Sequence, residues 1–214
     1  MCAEIKTAGL RIRIGAFALG LCFLAFQNVL AFTYPLQGED VREAYFLGRT
    51  TDGKKFKDFY EQYVRYFPFP ARGPYFSYVE SVEFRTPYEQ VVLRSLQNLS
   101  QYSSMQAEKD YQEQPNLVVV RVLISYKLGY VGPFPPASSF KVHVSQADGG
   151  AIEPKQLTTE SICSVSWNSD CGAPRFAILL SFAAEQFASG AAKIKIVTPD
   201  GQIIKTEFDL DNLI

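Results

Sequence analysis

One histidine and one tryptophan stand in a chain of 214 residues, and its four cysteines divide evenly about residue 31. Each scarcity closes off a chemistry. A catalytic imidazole needs a nucleophile and an orienting acid beside it. His143 lies in Lys141-Val142-His143-Val144, where alternation gives it the polar face of a solvated strand. No nucleophile-elbow pattern accompanies it. Cys163 and Cys171 without a nearby histidine cannot complete a zinc site. The chain also lacks a phosphate loop and a Gly-x-Gly-x-x-Gly fingerprint. It has no fixed-period repeat and no low-complexity tract. It contains no run of like charge, which argues against nucleic acid as a partner, since such proteins carry a basic stripe.

What the chain does carry begins at its N-terminus. Lys6, Arg11 and Arg13 form a positive segment, Ile14 to Phe26 is apolar, and Val29-Leu30-Ala31 offers a cleavage site. This is the layout of a secretory signal, predicting export with cleavage after Ala31, into the periplasm or outside the cell. The alternative is an uncleaved anchor, although Gln27 and Asn28 interrupt a run already short of the roughly 20 apolar residues a span needs. Lipidation at Cys22 is disfavoured because Leu21 precedes it where a small residue is expected. Removing Lys6, Arg11, Arg13 and Glu4 leaves 18 basic against 21 acidic residues, a net charge near −3.

An exported chain with two remaining cysteines is expected to pair them. A Cys163–Cys171 disulfide would close the polar loop Ser-Val-Ser-Trp-Asn-Ser-Asp, a closure worth about 2–3 kcal/mol in the loop-entropy treatment. A redox pair is the functional alternative, and the spacing departs from Cys-x-x-Cys.

Periodicity divides the remainder. Gly38 to Gly48 reads as a helix with acidic residues at its start. Asp52 or Thr51 opens a second, whose Phe56, Phe59, Tyr60, Tyr63 and Phe67 recur at helical spacing until Pro68. Tyr78 to Arg85 is a strand. Thr86-Pro87-Tyr88-Glu89 has the form of a capping box, predicting one long helix to about Glu113 with Tyr88, Val92, Leu96, Leu99, Tyr102 and Met105 buried. Leu117 to Tyr126 is apolar at nearly every position, the pattern of a strand covered on both faces. Strands are further expected over Phe140 to Gln146, Ile152 to Leu157 and Arg175 to Ala183. Lys193 to Leu210 forms a hairpin about Pro199-Asp200-Gly201. The expected fold class is α+β, a helical N-terminal half docked on an antiparallel β-sandwich-like C-terminal half. Its parts are a signal at 1–31, a mainly helical region with one strand at 32–115, and a β region at 116–214.

Candidate sites are few. Glu80 and Glu83 have an odd spacing, which on a regular strand sends them to opposite faces and spoils a two-carboxylate mechanism. Asp209-Leu210-Asp211-Asn212 lacks the glycine and distal glutamate of an EF-hand loop. The sequon Asn98-Leu99-Ser100 falls inside the predicted long helix. Aromatic density is the unusual feature: residues 32 to 88 hold sixteen Phe and Tyr. Tyr45, Phe59, Tyr63, Phe76 and the lone Trp167 are the candidate ligand contacts, since such rings pair an apolar body with a polar tip. The competing reading makes them filling between helices and sheet.

The segments Glu43-Ala44-Tyr45-Phe46-Leu47-Gly48-Arg49, Arg85-Thr86-Pro87 and Tyr102 to Tyr111 resemble exported proteins of soil-type bacteria to which no activity is attached. The likeness covers the N-terminal half of the chain beyond Ala31 and implies an envelope location. The leading expectation is therefore a non-catalytic interaction module of a bacterial envelope, without cofactor or metal. Its partner would be an envelope protein or a small ligand, and its only membrane contact an uncleaved signal. A carrier of a small apolar or sugar ligand is the second reading, and an enzyme using carboxylates alone the third.

Overall fold

The computed structural model describes residues 32–69, 76–98, 100–114, 116–127, 135–146, 149–163 and 174–214. The expectations for the signal segment, Trp167 and the Cys163–Cys171 bridge lie outside the described residues. The chain is an α+β protein with helices α1 (Gly38–Gly48), α2 (Gly53–Tyr60), α3 (Pro87–Gln97) and α4 (Ser104–Glu113). Its strands are β1 (Val64–Tyr66), β2 (Ser77–Arg85), β3 (Leu117–Tyr126), β4 (Lys141–Gln146), β5 (Ala151–Ile152), β6 (Gln156–Cys163), β7 (Arg175–Ala183), β8 (Ala191–Val197) and β9 (Ile203–Asp209).

α1 has the predicted bounds. The Gln37 amide donates to Asp40 Oδ2 at 2.7 Å, and Glu39 and Asp40 sit at the positive end of the helix dipole. α2 starts as expected, with Asp52 accepting from the Lys54 and Lys55 amides. It ends at Tyr60, not near Phe67. Residues 64–66 instead pair with β2. The ladder and the complete burial of Tyr63 outweigh two more turns of helix in a segment of middling propensity.

The predicted long helix is two helices. Asn98 leaves helical geometry at the end of α3, and Ser103 caps α4 by accepting from the Gln106 amide at 3.1 Å. The bend lets both helices pack on α1: Tyr102 O accepts from Tyr45 Oη at 3.0 Å and from Arg49 Nη2 at 2.7 Å. Arg42 of α1 pairs with Glu108 of α4. Once the axis turns, one stripe no longer faces one direction, and Met105 is 79% exposed rather than buried. The sequon asparagine, Asn98, lies past the helix end and is exposed.

The strands form two antiparallel sheets, ordered β1-β2-β3-β7-β6 and β5-β4-β8-β9. The 32–115 region therefore holds two strands among its described residues, and both belong to a sheet that continues past residue 115. β3 is not covered equally on its two faces. Val118, Val120, Val122 and Ile124 are buried, while Leu117, Val119, Arg121 and Leu123 are half-buried. The strand expected over Ile152 to Leu157 is divided: β5 joins one sheet and β6 the other, with Pro154 between them. β7 and the β8–β9 hairpin fall where predicted, and Gly201 takes φ +84 at the turn, in the region that favours glycine.

Both sheets contribute to one buried cluster. Phe84 of β2 meets Phe208 of β9 at 5.6 Å between ring centroids, and Phe140, just before β4, meets Phe176 of β7 at 5.6 Å. Arg65 of β1 lies over the Phe208 ring at 4.7 Å. Each large apolar side chain buried here contributes about 1.5–3 kcal/mol. α3 is tied to the sheet by Gln90 Nε2, which donates to Leu117 O at 2.7 Å.

Candidate functional site

β2 carries an irregularity that alternation could not reveal. Val79 stands opposite Ile124 and Ser81 opposite Leu123, so Glu80 is an extra residue in a β-bulge. The bulge reverses the parity on which the sequence reading depended. Glu80 and Glu83 both reach the sheet face that does not carry Phe84. There Glu80 accepts from the Ser125 hydroxyl and pairs with Arg175 Nε at 3.3 Å. Glu83 stands directly opposite Arg121.

Glu83 is the centre of the face. Its Oε2 accepts from Arg85 Nε at 2.8 Å, with Arg85 Nη2 closing a second contact, and its Oε1 accepts from Arg121 Nη1 at 2.6 Å. Only 4% of the Glu83 side chain and 12% of the Arg121 side chain are exposed. Arg121 Nε reaches on toward Glu160 of β6 at 3.7 Å. Three carboxylates and three guanidiniums thus cross the sheet from β2 to β6 and sum to zero charge. Their directional bonds fix the side chains in place. Held by two guanidiniums from β2 and β3, Glu83 anchors the face.

Glu89 sits behind this network at the start of α3. The predicted capping box forms by half: the Glu89 amide donates to Thr86 Oγ1 at 3.2 Å, but neither carboxyl oxygen has a partner and the residue is fully buried. Burial pushes its pKa up to about 8, with Glu83 adding to the rise and Arg85 and Arg121 opposing it. Tyr60, at the end of α2, is raised by burial and then by Glu83 and Glu89.

Phe59, Tyr63 and Tyr45 pack in or against the buried core. Phe59 is buried against Tyr63 at 4.8 Å and Tyr88 at 6.1 Å. Tyr63 Oη donates to Ile214 O at 3.1 Å and accepts from the Ile214 amide at 3.0 Å. Burial raises the Tyr63 phenol to about 12. Tyr45 belongs to the α1–α4 contact, with Arg49 over its ring at 5.3 Å. Phe76 precedes β2, where its carbonyl accepts from the Lys127 amide at 2.8 Å. Among these candidates the structure brings Phe59 and Tyr63 into ring contact. The cavity between α3 and α4 holds about 20 Å³, room for about one water.

The outermost strand of the same sheet completes the candidate surface. Gln156 to Ile162 of β6 are all exposed, Leu157 at 55% and Ile162 at 40%. β6 pairs with β7 on one side, and among the described residues no strand pairs with its other side. Its outward backbone groups are a template for a further strand. Sequence reasoning missed Arg121, Arg175, Glu160 and this edge. The available signal was Arg121 itself, a lone charge in the apolar run of β3, which demands a buried partner. Among the described residues no cluster of His, Cys, Asp and Glu is suited to a metal, and no helix is long and apolar enough to cross a membrane. Comparison with family models, curated proteins and solved structures finds no match to this chain.

Proposed function

We propose that this chain is a non-catalytic exported interaction module of the bacterial envelope, and that it takes an extended polypeptide partner onto the free edge of β6. In this reading the signal is cleaved after Ala31, and the helical segment docks on a sandwich-like pair of sheets that serves as a rigid frame. The observation that carries the proposal is the β6 edge: a long strand with every side chain from Gln156 to Ile162 exposed. Natural proteins usually blunt such edges with lysine, proline or a covering segment. Within β6 the only charge is Glu160, whose carboxylate is tied back toward Arg121. Strand addition gives affinity through main-chain hydrogen bonds, while alternate side chains such as Leu157 and Thr159 supply specificity.

The test begins with native mass spectrometry of the protein recovered from its host's envelope fraction. A stoichiometric polypeptide partner is expected on a chain beginning at Phe32. Thr158→Pro and Thr159→Pro then examine the edge, because successive amides of a strand point to opposite sides. One variant loses an amide used by β7 and is less stable. The other folds normally and loses the partner. A folded variant that retains the partner overturns strand addition. A small bound molecule in place of a polypeptide overturns the module in favour of the carrier.

A further inference from the structure

The outer face of the four-stranded sheet carries a feature independent of β6. Strand alternation turns Lys141, His143 and Ser145 of β4, Lys193 and Lys195 of β8, and Lys205 and Glu207 of β9 to one side. The register sets His143 opposite Lys195, and Lys195 opposite Lys205, so a single row across three strands consists of basic side chains. The next row places Ser145, Lys193 and Glu207 side by side. All four lysines and His143 are exposed. None of the lysines makes an ion pair among the described residues.

This concentration runs against the molecule as a whole, whose formal net charge is −1. Like charges directly opposite on a sheet destabilise it, and no ion pair among the described residues offsets the Lys195–Lys205 juxtaposition. The face is also concave. His143, Lys193, Lys195 and Lys205 line a half-open groove of about 530 Å³ with Ser145 and a single acidic side chain, Glu207, within the size range of ligand sites. Convergent positive charge in such a groove draws in anions from a distance.

From this geometry we infer that the groove binds a linear anionic polysaccharide, one whose successive sugars bear carboxylates. Adjacent strands are about 4.8 Å apart, close to the length of one sugar ring in an extended chain. A glycan lying across the strands therefore offers about one carboxylate to each of His143, Lys195 and Lys205. Lysine acts as a point charge and needs no planar, bidentate partner, which suits carboxylates presented at varied angles. The Ser145 hydroxyl, next to this row on the same face, suits a ring hydroxyl. A concave groove fits a chain better than it fits a flat bilayer.

The experiment is calorimetric titration of the full folded chain with an oligogalacturonate, with neutral dextran as the comparison. Binding of the acidic oligomer is expected, weakening as salt rises, with no binding of dextran. The double variant Lys195→Gln/Lys205→Gln is expected to bind at least about tenfold more weakly, since each charge-assisted contact is worth about a factor of ten or more. It should melt no lower than the parent, because it relieves a repulsion. Lys54→Gln, at the exposed start of α2, should bind as the parent does. Undiminished binding by the double variant overturns the site. Binding of phosphatidylglycerol vesicles or duplex DNA, with no binding of the oligomer, overturns the ligand class. Failure here leaves the strand-addition reading untouched, because the two surfaces belong to different sheets.

Discussion

Glu89 makes the stability of this protein fall as the solution becomes more basic across the neutral range. Its carboxyl is fully buried with no hydrogen-bond partner on either oxygen, and its pKa stands near 8 against 4.5 for a free side chain. Below the lower value both folded and unfolded chains hold the proton. Between the two, the unfolded chain releases it and the folded chain keeps it, so stability declines by ~1.4 kcal/mol per pH unit. From pH 5 to pH 7.5 that amounts to about 3 kcal/mol, a large share of the 5–15 kcal/mol typical of a domain. Above about 8 the folded carboxyl also ionises and the decline levels off. Glu89→Gln removes the charge and keeps the shape. Urea unfolding of parent and variant, followed by circular dichroism at several pH values, should give a stability difference that grows in the variant's favour by about 3 kcal/mol over this span. Parallel curves would refute the reasoning, because they would mean that the carboxylate ionises in the folded chain at little expense.

Three further expectations concern packing and charge. Arg121→Met leaves Glu83 buried with one of its two guanidiniums gone, and should lower the unfolding free energy by about 3–5 kcal/mol; adding Glu83→Gln should recover part of that loss in a double-mutant cycle. Gly48→Ala places a Cβ 2.3 Å from Val92 O and 2.8 Å from Ser95 Cβ, so α1 must move off α3, and denaturant titration should register a loss of about 1–3 kcal/mol. Met105→Lys, at a position the straight-helix reading would bury, should change stability by less than about 0.5 kcal/mol, since the side chain is 79% exposed.

Local chemistry was legible wherever one segment decides its own state. The bounds of α1, the Asp52 cap, the span of β3 and the alternation of β7 all follow from residues within a few positions of one another. Misreadings arose where a distant segment competed. β2 recruited residues 64–66 out of a helical pattern, and α1 is best served by a bend between α3 and α4. Pro154 marks a change of sheet that no local pattern announces. The aromatic run before Tyr88 is dense, and its described members divide: Phe32, Phe59, Tyr63 and Phe84 are buried, while Phe46, Tyr66 and Phe69 are exposed.

The sequence by itself determined the α+β class, most of the strands and the polar face on which His143 lies. It determined these because hydrophobic periodicity and capping are short-range quantities. Only the tertiary structure decided which charges meet. A one-residue bulge at Glu80 put two glutamates on one face with three arginines, and strand register aligned His143, Lys195 and Lys205 across a sheet. The physical reason is that register belongs to pairs of strands. A chain with no run of like charge can still build a basic row, since residues as far apart in the chain as His143 and Lys195 become neighbours about 5 Å away once the strands pair.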